Sequence, residues 1–115
     1  MDTRSKIVSA VEAAGIAAAG ATVVSGYFDP LIASHAQRLA ALKRDGAPLL
    51  VLIATPNDPI LPARARAELV ASLGIVDHVT ELAGGLTAQV CLEPEDNVRL
   101  EKLVQHVHSR QRAAS

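Results

Sequence analysis

The stretch that decides the fold is Leu49-Leu50-Val51-Leu52-Ile53-Ala54, six apolar residues with no polar residue between them. A strand with one face in water alternates apolar and polar residues, so this run indicates a strand buried on both faces. Such strands are typical of parallel sheets that helices cover on both sides. We therefore predict an α/β domain with its sheet in the middle.

The residues upstream of this run predict a strand and two helices. Ala21 to Ser25 is a short stretch rich in β-branched residues, which indicates a buried strand. Asp29-Pro30 is a typical helix start, because Asp can cap the first backbone N–H groups and Pro suits the first helical position. This helix is predicted to end near Arg44, where Asp45-Gly46 follows. An amphipathic helix over Ser5 to Ala14 is predicted to precede the strand.

The residues downstream continue the alternation of strands and helices. The pattern predicts a helix over Pro62 to Gly74, strands over Asp77 to Leu82 and Leu86 to Leu92, and a last helix over Pro94 to Arg112. This order predicts a doubly wound, mostly parallel sheet in a three-layer α/β/α arrangement. We expect a single domain over residues 1–115.

Composition argues against several classes of function. The chain has 11 basic and 12 acidic residues and only two aromatic ones, Tyr27 and Phe28, so it lacks the basic surface and stacking platforms of nucleic-acid-binding proteins. The apolar stretch from Ile7 to Val24 is interrupted by one acidic residue and two glycines, which argues against a membrane span. Cys91 is the single cysteine, which predicts a cytoplasmic protein without disulfides and a buried thiol.

The turn from Ser25 to His35 is the best candidate ligand site. Doubly wound sheets bind ligands at the carboxyl ends of their strands, which points to the loops Gly26–Pro30 and Thr55–Ile60. Gly26 would let backbone approach a ligand closely, and the free N–H groups of the following helix favour an anion such as phosphate. His35 lies far enough inside this helix to reach back and donate a hydrogen bond to that phosphate.

The residues of this turn resemble a known family. Gly26-Tyr27-Phe28-Asp29 followed by His35 is similar to the cytidylyltransferase-like nucleotidyltransferases, which include heptose-phosphate adenylyltransferases and glycerol-phosphate cytidylyltransferases. Their pattern is Gly-x-Phe-Asp, two residues, then His-x-Gly-His. Leu61 to Leu69 and Val76 to Val79 resemble the downstream helix and strand of the family, so the resemblance covers about Ser5 to Leu82. It implies a Rossmann-like nucleotidyltransferase fold.

The chain departs from the family at the residues that carry the chemistry. Ile32 stands where the family has the first His of its motif, and Ser34 stands where it has the Gly. In the family the two His stabilise negative charge on the phosphates during transfer, and an isoleucine cannot donate a hydrogen bond. The loop Thr55–Ile60 contains no Lys or Arg, and the Ser/Thr-rich phosphate motif of the family has no clear match. The resemblance therefore predicts the fold together with lost or weakened transfer.

Each candidate residue has a functional and a structural interpretation. His35 either binds phosphate as the catalytic residue or forms a local hydrogen bond on a helix face. Asp29 either contacts the ligand or caps the helix. Tyr27 is predicted to face the ligand and Phe28 to be in the core, because neighbours in an extended segment point opposite ways. The predicted ligand-binding set is Gly26, Tyr27, Phe28, Asp29, Ser34, Thr55, Asn57 and Arg66, and no metal ligand is predicted.

Three hypotheses for the function remain at this point. The first is a degenerate nucleotidyltransferase-like domain that binds a nucleotide or another phosphorylated small molecule. The second is an active enzyme that moves CMP or AMP from CTP or ATP to a sugar or polyol phosphate, with His35 and Mg²⁺ stabilising the phosphates. The third is a non-catalytic module that forms a homo-oligomer.

Overall fold

The computed structural model describes residues 3–81 and 86–93, and within them four strands form one parallel sheet. The strands are β1 (Thr22–Gly26), β2 (Leu49–Ile53), β3 (His78–Glu81) and β4 (Val90–Cys91). The helices are α1 (Ala10–Ala18), α2 (Ala33–Leu42) and α3 (Ala63–Ala71). The prediction of an α/β domain built on a parallel sheet is confirmed.

The strand order is β3-β2-β1-β4, and every neighbouring pair is parallel. The chain therefore moves outward from β1 through β2 to β3 and then returns past β1 to form β4. This order places the reversal of direction between β1 and β4. The arrangement is Rossmann-like, and it gives the carboxyl ends of β1 and its two neighbours a common edge, which we call the carboxyl edge.

The side chains of β2 divide the interior into two cores, which explains its unbroken apolar sequence. Val51 and Ile53 point into the larger core, together with Leu39 of α2 and Val70 of α3. The alternate β2 residues, Leu50 and Leu52, point into the smaller core, together with Ala13 of α1. Helices thus cover both faces of the sheet, and the three-layer α/β/α prediction is confirmed.

The first helix lies later in the chain than the sequence predicts. Instead of one helix over Ser5 to Ala14, a 3₁₀ turn over Thr3–Lys6 precedes α1. Between them, Ile7 pairs with Val79 of β3, which holds this part of the chain extended. The hydroxyl of Ser9 then accepts a hydrogen bond from the backbone N–H of Glu12, and this cap starts the helix.

The helix after β1 also begins later and ends earlier than predicted. The prediction that Asp29 caps this helix is wrong, because α2 begins at Ala33 and its N-cap position is Ile32. The Asp29 carboxylate instead accepts hydrogen bonds from the neighbouring loop, as described below. The helix ends at Leu42 rather than at Arg44.

The predictions for the end of the chain are met only in part. The strand predicted over Leu86 to Leu92 is shortened to Val90–Cys91, which pairs with β1 at the edge of the sheet. The prediction that Cys91 is buried is wrong, because this edge position leaves its side chain exposed. The predicted helix over Pro94 to Arg112 lies outside the described residues. Among the described residues, no helix is both long and apolar enough to cross a bilayer.

Candidate functional site

The candidate site lies at the carboxyl edge of the sheet, where the loops after β1 and β2 meet. The two strands are in register to their ends, with Gly26 opposite Ile53. The backbone N–H of Ala54 then donates to the carbonyl of Gly26 at 2.9 Å, so the two loops start from a fixed pair of residues. The loop after β1 leads into α2, and the loop after β2 leads into α3.

The core side of the first loop is filled by Phe28. Its ring is completely buried, which confirms the prediction that this residue belongs to the core. A Cβ atom built on Gly26 would lie 2.7 Å from two atoms of this ring, far inside contact distance. The close approach over Gly26 is therefore made by the Phe28 ring. Phe28 itself has a positive φ of 51°, which turns the chain out of the sheet.

Arg66 is the most unusual residue of the site, because its long cationic side chain is fully buried. Nη1 donates to the carbonyl of Ala54 at 2.6 Å and to the carbonyl of Tyr27 at 3.1 Å. Nε donates to the carbonyl of Leu61 at 3.1 Å, and Nη2 contacts the hydroxyl of Thr55 at 3.4 Å. One guanidinium thus donates hydrogen bonds to both loops.

Asp29, in the first loop, also connects the two loops. One oxygen of its carboxylate accepts a hydrogen bond from the backbone N–H of Ile60 and the other from that of Leu61, each at 2.7 Å. Leu61 is therefore held at its N–H by Asp29 and at its carbonyl by Arg66. We call these three residues the loop clamp. The clamp fixes the relative positions of the loops Gly26–Pro30 and Thr55–Ile60.

The charge of Arg66 is not neutralised by a carboxylate within the described part of the chain. Its hydrogen-bond acceptors are three carbonyl groups and one hydroxyl, all of them neutral. A buried cation with only neutral partners leaves a positive potential around it, which the low dielectric of the interior strengthens. Its bonds to Tyr27 and Ala54 place this cation at the ends of β1 and β2, next to the carboxyl edge.

His35 occupies a buried position at the start of α2. Its Nδ1 accepts a hydrogen bond from the backbone N–H of Ile32 at 3.1 Å, which assigns the proton of the neutral ring to Nε2. The imidazole also packs edge-on against Phe28, with 5.3 Å between the ring centroids. These contacts agree with the structural interpretation of His35, and they fix the ring to the loop.

The remaining predicted site residues line the outside of the loops. Thr55 and Asn57 are exposed, whereas Tyr27 and Ser34 are half-buried. Ile32, at the first His position of the resemblance, is 46% exposed and does not fill the turn. The structure therefore brings the predicted residues together at one edge, with the polar groups of the two loops on its outer side.

No protein-family model matches the sequence, and neither does any curated protein. The candidate site therefore depends on its geometry alone.

The described residues fit a directly bound metal ion poorly. They contain no group of three or more His, Cys, Asp or Glu side chains that could hold one. Both carboxylate oxygens of Asp29 are already engaged by backbone N–H groups.

Two features of the site were missed from the sequence. One is the contact between Asp29 and the second loop, for which a local pattern carries no signal because the partners are 31 residues or more apart. The other is the burial of Arg66. Its spacing from Ala67, Val70 and Ala71 places it on the apolar face of α3, and this pattern could have indicated a buried arginine.

Proposed function

We propose that this domain binds a phosphorylated small molecule, a nucleotide or a sugar or polyol phosphate, at the carboxyl edge between the two clamped loops. The observation that carries the proposal is the fully buried Arg66, whose partners are all neutral. A buried cation stabilises an anion nearby without the loss of its own hydration at the moment of binding. The ligand need not touch the guanidinium, because the positive charge attracts an anion across the loop that the guanidinium supports.

The start of α2 adds a second favourable group at this edge. The first N–H groups of a helix lack intrahelical partners, and they favour an anion such as phosphate. The helix begins at Ala33, directly after the exposed Ile32, so its first turn faces the outside of the loop. The helix end and the buried cation therefore act on the same side of the site.

The same residues favour binding without efficient transfer. Ile32 has no donor for a phosphate oxygen at the position where the resemblance has its first histidine. Each oxygen of Asp29 already accepts a backbone N–H. A donor that would stabilise developing charge is thus absent at the Ile32 position, and each lost donor typically costs orders of magnitude in rate.

The test is a calorimetric titration of the full chain with ADP, ATP and CTP, each with and without Mg²⁺. We expect saturable binding that raises the melting temperature, because a ligand that binds only the folded state stabilises it. Asn57→Asp adds a negative charge at the exposed site loop and should weaken binding about tenfold. Thr87→Asp is the matched control and should leave affinity unchanged. Thr87 is also exposed, but it precedes β4 and so lies toward the amino end of that strand, away from the carboxyl edge.

A pyrophosphate-release assay with sugar and polyol phosphates as acceptors separates binding from transfer. We expect no turnover in the natural protein. Restoring the motif through Ile32→His with Ser34→Gly would confer turnover if loss of these groups is the cause. Absence of binding to every nucleotide and every sugar or polyol phosphate would contradict the proposed function, and turnover by the natural protein would favour the active-enzyme alternative.

A further inference from the structure

Glu93 lies at the reversal of the strand order and carries a buried oxygen that lacks a partner. The chain reverses between β1 and β4, and ligands of doubly wound sheets bind in the crevice at such a point. Ser25 pairs with Cys91, and the backbone N–H of Leu92 donates to the carbonyl of Ser25 at 2.8 Å. Glu93 follows Leu92 directly, so it lies just past the carboxyl end of β4, beside the end of β1 and the crevice.

The carboxylate of Glu93 is incompletely satisfied. Its Oε2 atom is shielded from solvent and accepts no hydrogen bond from the described residues. Nearly all buried polar atoms in native proteins have a partner, and a buried carboxylate oxygen without one is especially costly. A donor from a bound molecule would remove this cost. A carboxylate can only accept hydrogen bonds, so that molecule must present an O–H or N–H group.

We propose that Glu93 accepts a hydrogen bond from a hydroxyl group of the ligand and thereby selects hydroxyl-bearing phosphate esters. This inference rests on the proposed function, because it requires the phosphate to lie on the α2 and α3 side of the edge. β2 and β4 flank β1, so their ends are about 10 Å apart, two interstrand spacings. Free phosphate is too short to reach both ends, whereas a sugar, polyol or nucleoside phosphate spans them.

The charges of the two ends fix the direction of the ligand. Arg66 lies under the loops after β1 and β2 and attracts the phosphate group. The Glu93 carboxylate at the end of β4 repels that same group and accepts the hydroxyl. A ligand bound in the reverse direction would place two negative charges together and leave the hydroxyl without its acceptor. Glu93 therefore acts as a specificity-determining residue.

The test compares ligands that differ only in their hydroxyl groups, by calorimetry with the full chain. The pairs are ADP with its 2′,3′-dideoxy analogue and glycerol 3-phosphate with propyl phosphate. We expect the natural protein to prefer the hydroxylated member by about tenfold, which is typical of a hydrogen bond to a charged group. Glu93→Met, similar in size but without an acceptor, should abolish the preference, and Glu93→Gln should retain part of it.

Glu81→Met is the matched control. Glu81 is exposed at the carboxyl end of β3, the outermost strand on the side of the sheet away from β4. It should keep the full preference. Binding of both members with equal affinity by the natural protein would overturn the role of Glu93 and leave the proposed function standing. Failure of every phosphate ester to bind would overturn both. Because the natural protein itself reports the preference, the test does not depend on the folding of a variant.

Discussion

At the scale of single residues, the pair Gly26 and Phe28 shows how the fold constrains the sequence. The glycine is needed because the buried ring of Phe28 lies over its backbone, and a methyl group there would have no space. The ring in turn packs edge-on against His35 in the first turn of α2. Gly26 and Phe28 thus fit each other for a structural reason that is separate from any contact with a ligand.

Gly26→Ala is therefore expected to destabilise the protein. The new Cβ would lie 2.7 Å from Phe28, and relieving such overpacking typically costs about 1–3 kcal/mol. Gly15→Ala in α1 is the control, because a Cβ there meets nothing within 4 Å, and it should stabilise by about 0.5–1 kcal/mol. Urea unfolding measures both. Equal stability of Gly26→Ala and the natural protein would show that the ring can move away.

Arg66 is the residue whose removal should cost most. Arg66→Ala would leave the carbonyl groups of Tyr27, Ala54 and Leu61 without their donor, at about 1–3 kcal/mol for each that stays buried. Arg64→Ala on the same helix removes an exposed i,i+4 pair with Glu68 and should cost less than about 0.5 kcal/mol. Unfolding curves of the two variants give the comparison. Similar losses would mean that water replaces the guanidinium.

At the scale of elements, Asp29 connects the loop after β1 to the loop after β2. Asp29→Asn keeps the shape but has a single acceptor oxygen, so at most one of the two backbone bonds survives in its present form. We expect hydrogen exchange at the amides of Ile60 and Leu61 to accelerate by about tenfold, read by NMR. Unchanged exchange at both amides would show that the second loop holds its shape without the clamp.

A second set of contacts lies at the amino ends of β2 and β3, away from the carboxyl edge, and its contribution to stability should depend on pH. Lys43, directly after α2, pairs with Asp77, which also accepts the backbone N–H of Leu49 at 2.7 Å. Burial raises the pKa of Asp77, but the hydrogen bonds from Lys43 and Leu49 and the nearby positive charges outweigh it, so the pKa is lowered overall. The contact therefore stabilises the fold above the ordinary pKa of aspartate and is lost as the pH falls through the lowered value.

We expect the free energy of unfolding to fall below about pH 4 in the natural protein, because the unfolded chain takes up the Asp77 proton first. Asp77→Asn should be less stable at neutral pH and should lose less on acidification. Asp45→Asn, an exposed change in the following loop, should keep the natural profile. Urea unfolding between pH 2.5 and 7 supplies the measurement. Parallel profiles for Asp77→Asn and the natural protein would contradict this assignment.

The elements also show what local sequence can predict. The apolar run from Leu49 identified the central strand, because burial on both faces removes any alternation. The start of α2 was misplaced, because Asp29-Pro30 has the composition of a helix cap while its carboxylate bonds to a loop 31 residues away. The same long-range contact is why the arrangement of the two loops could not be predicted. Local patterns report burial and turns, and they carry no information about distant partners.

At the scale of the whole molecule, the two cores depend on the same central strands. Every residue of β1 and β2 is buried, and the side chains of β2 enter both cores in turn. Neither core can open without exposing the strand that it shares with the other. Amides of β1 and β2 should therefore exchange only through global unfolding, whereas amides at the loops open locally.

Among the amides that exchange through local opening, ligand binding should then protect those at the carboxyl edge. With saturating ADP, we expect slower hydrogen exchange at Ile60 and Leu61, whose amides bond to Asp29, and at Leu92, whose amide bonds to β1. A ligand that binds only the closed loops must dissociate before they open, so protection rises with its concentration.

The amide of Asp77, just before β3 and away from the carboxyl edge, serves as an internal control, because it bonds to the carbonyl of Leu49 at the start of β2. Its exchange through local opening should not change, since no part of the proposed site contacts it, whereas amides of β1 and β2 should slow only as far as global stability rises. Protection of the Asp77 amide as large as that at Ile60 and Leu61 would mean that the ligand binds elsewhere or acts only by stabilising the whole fold. Protection at Ile60 and Leu61 without Leu92 would confine the ligand to the clamped loops and exclude the crevice beside Glu93.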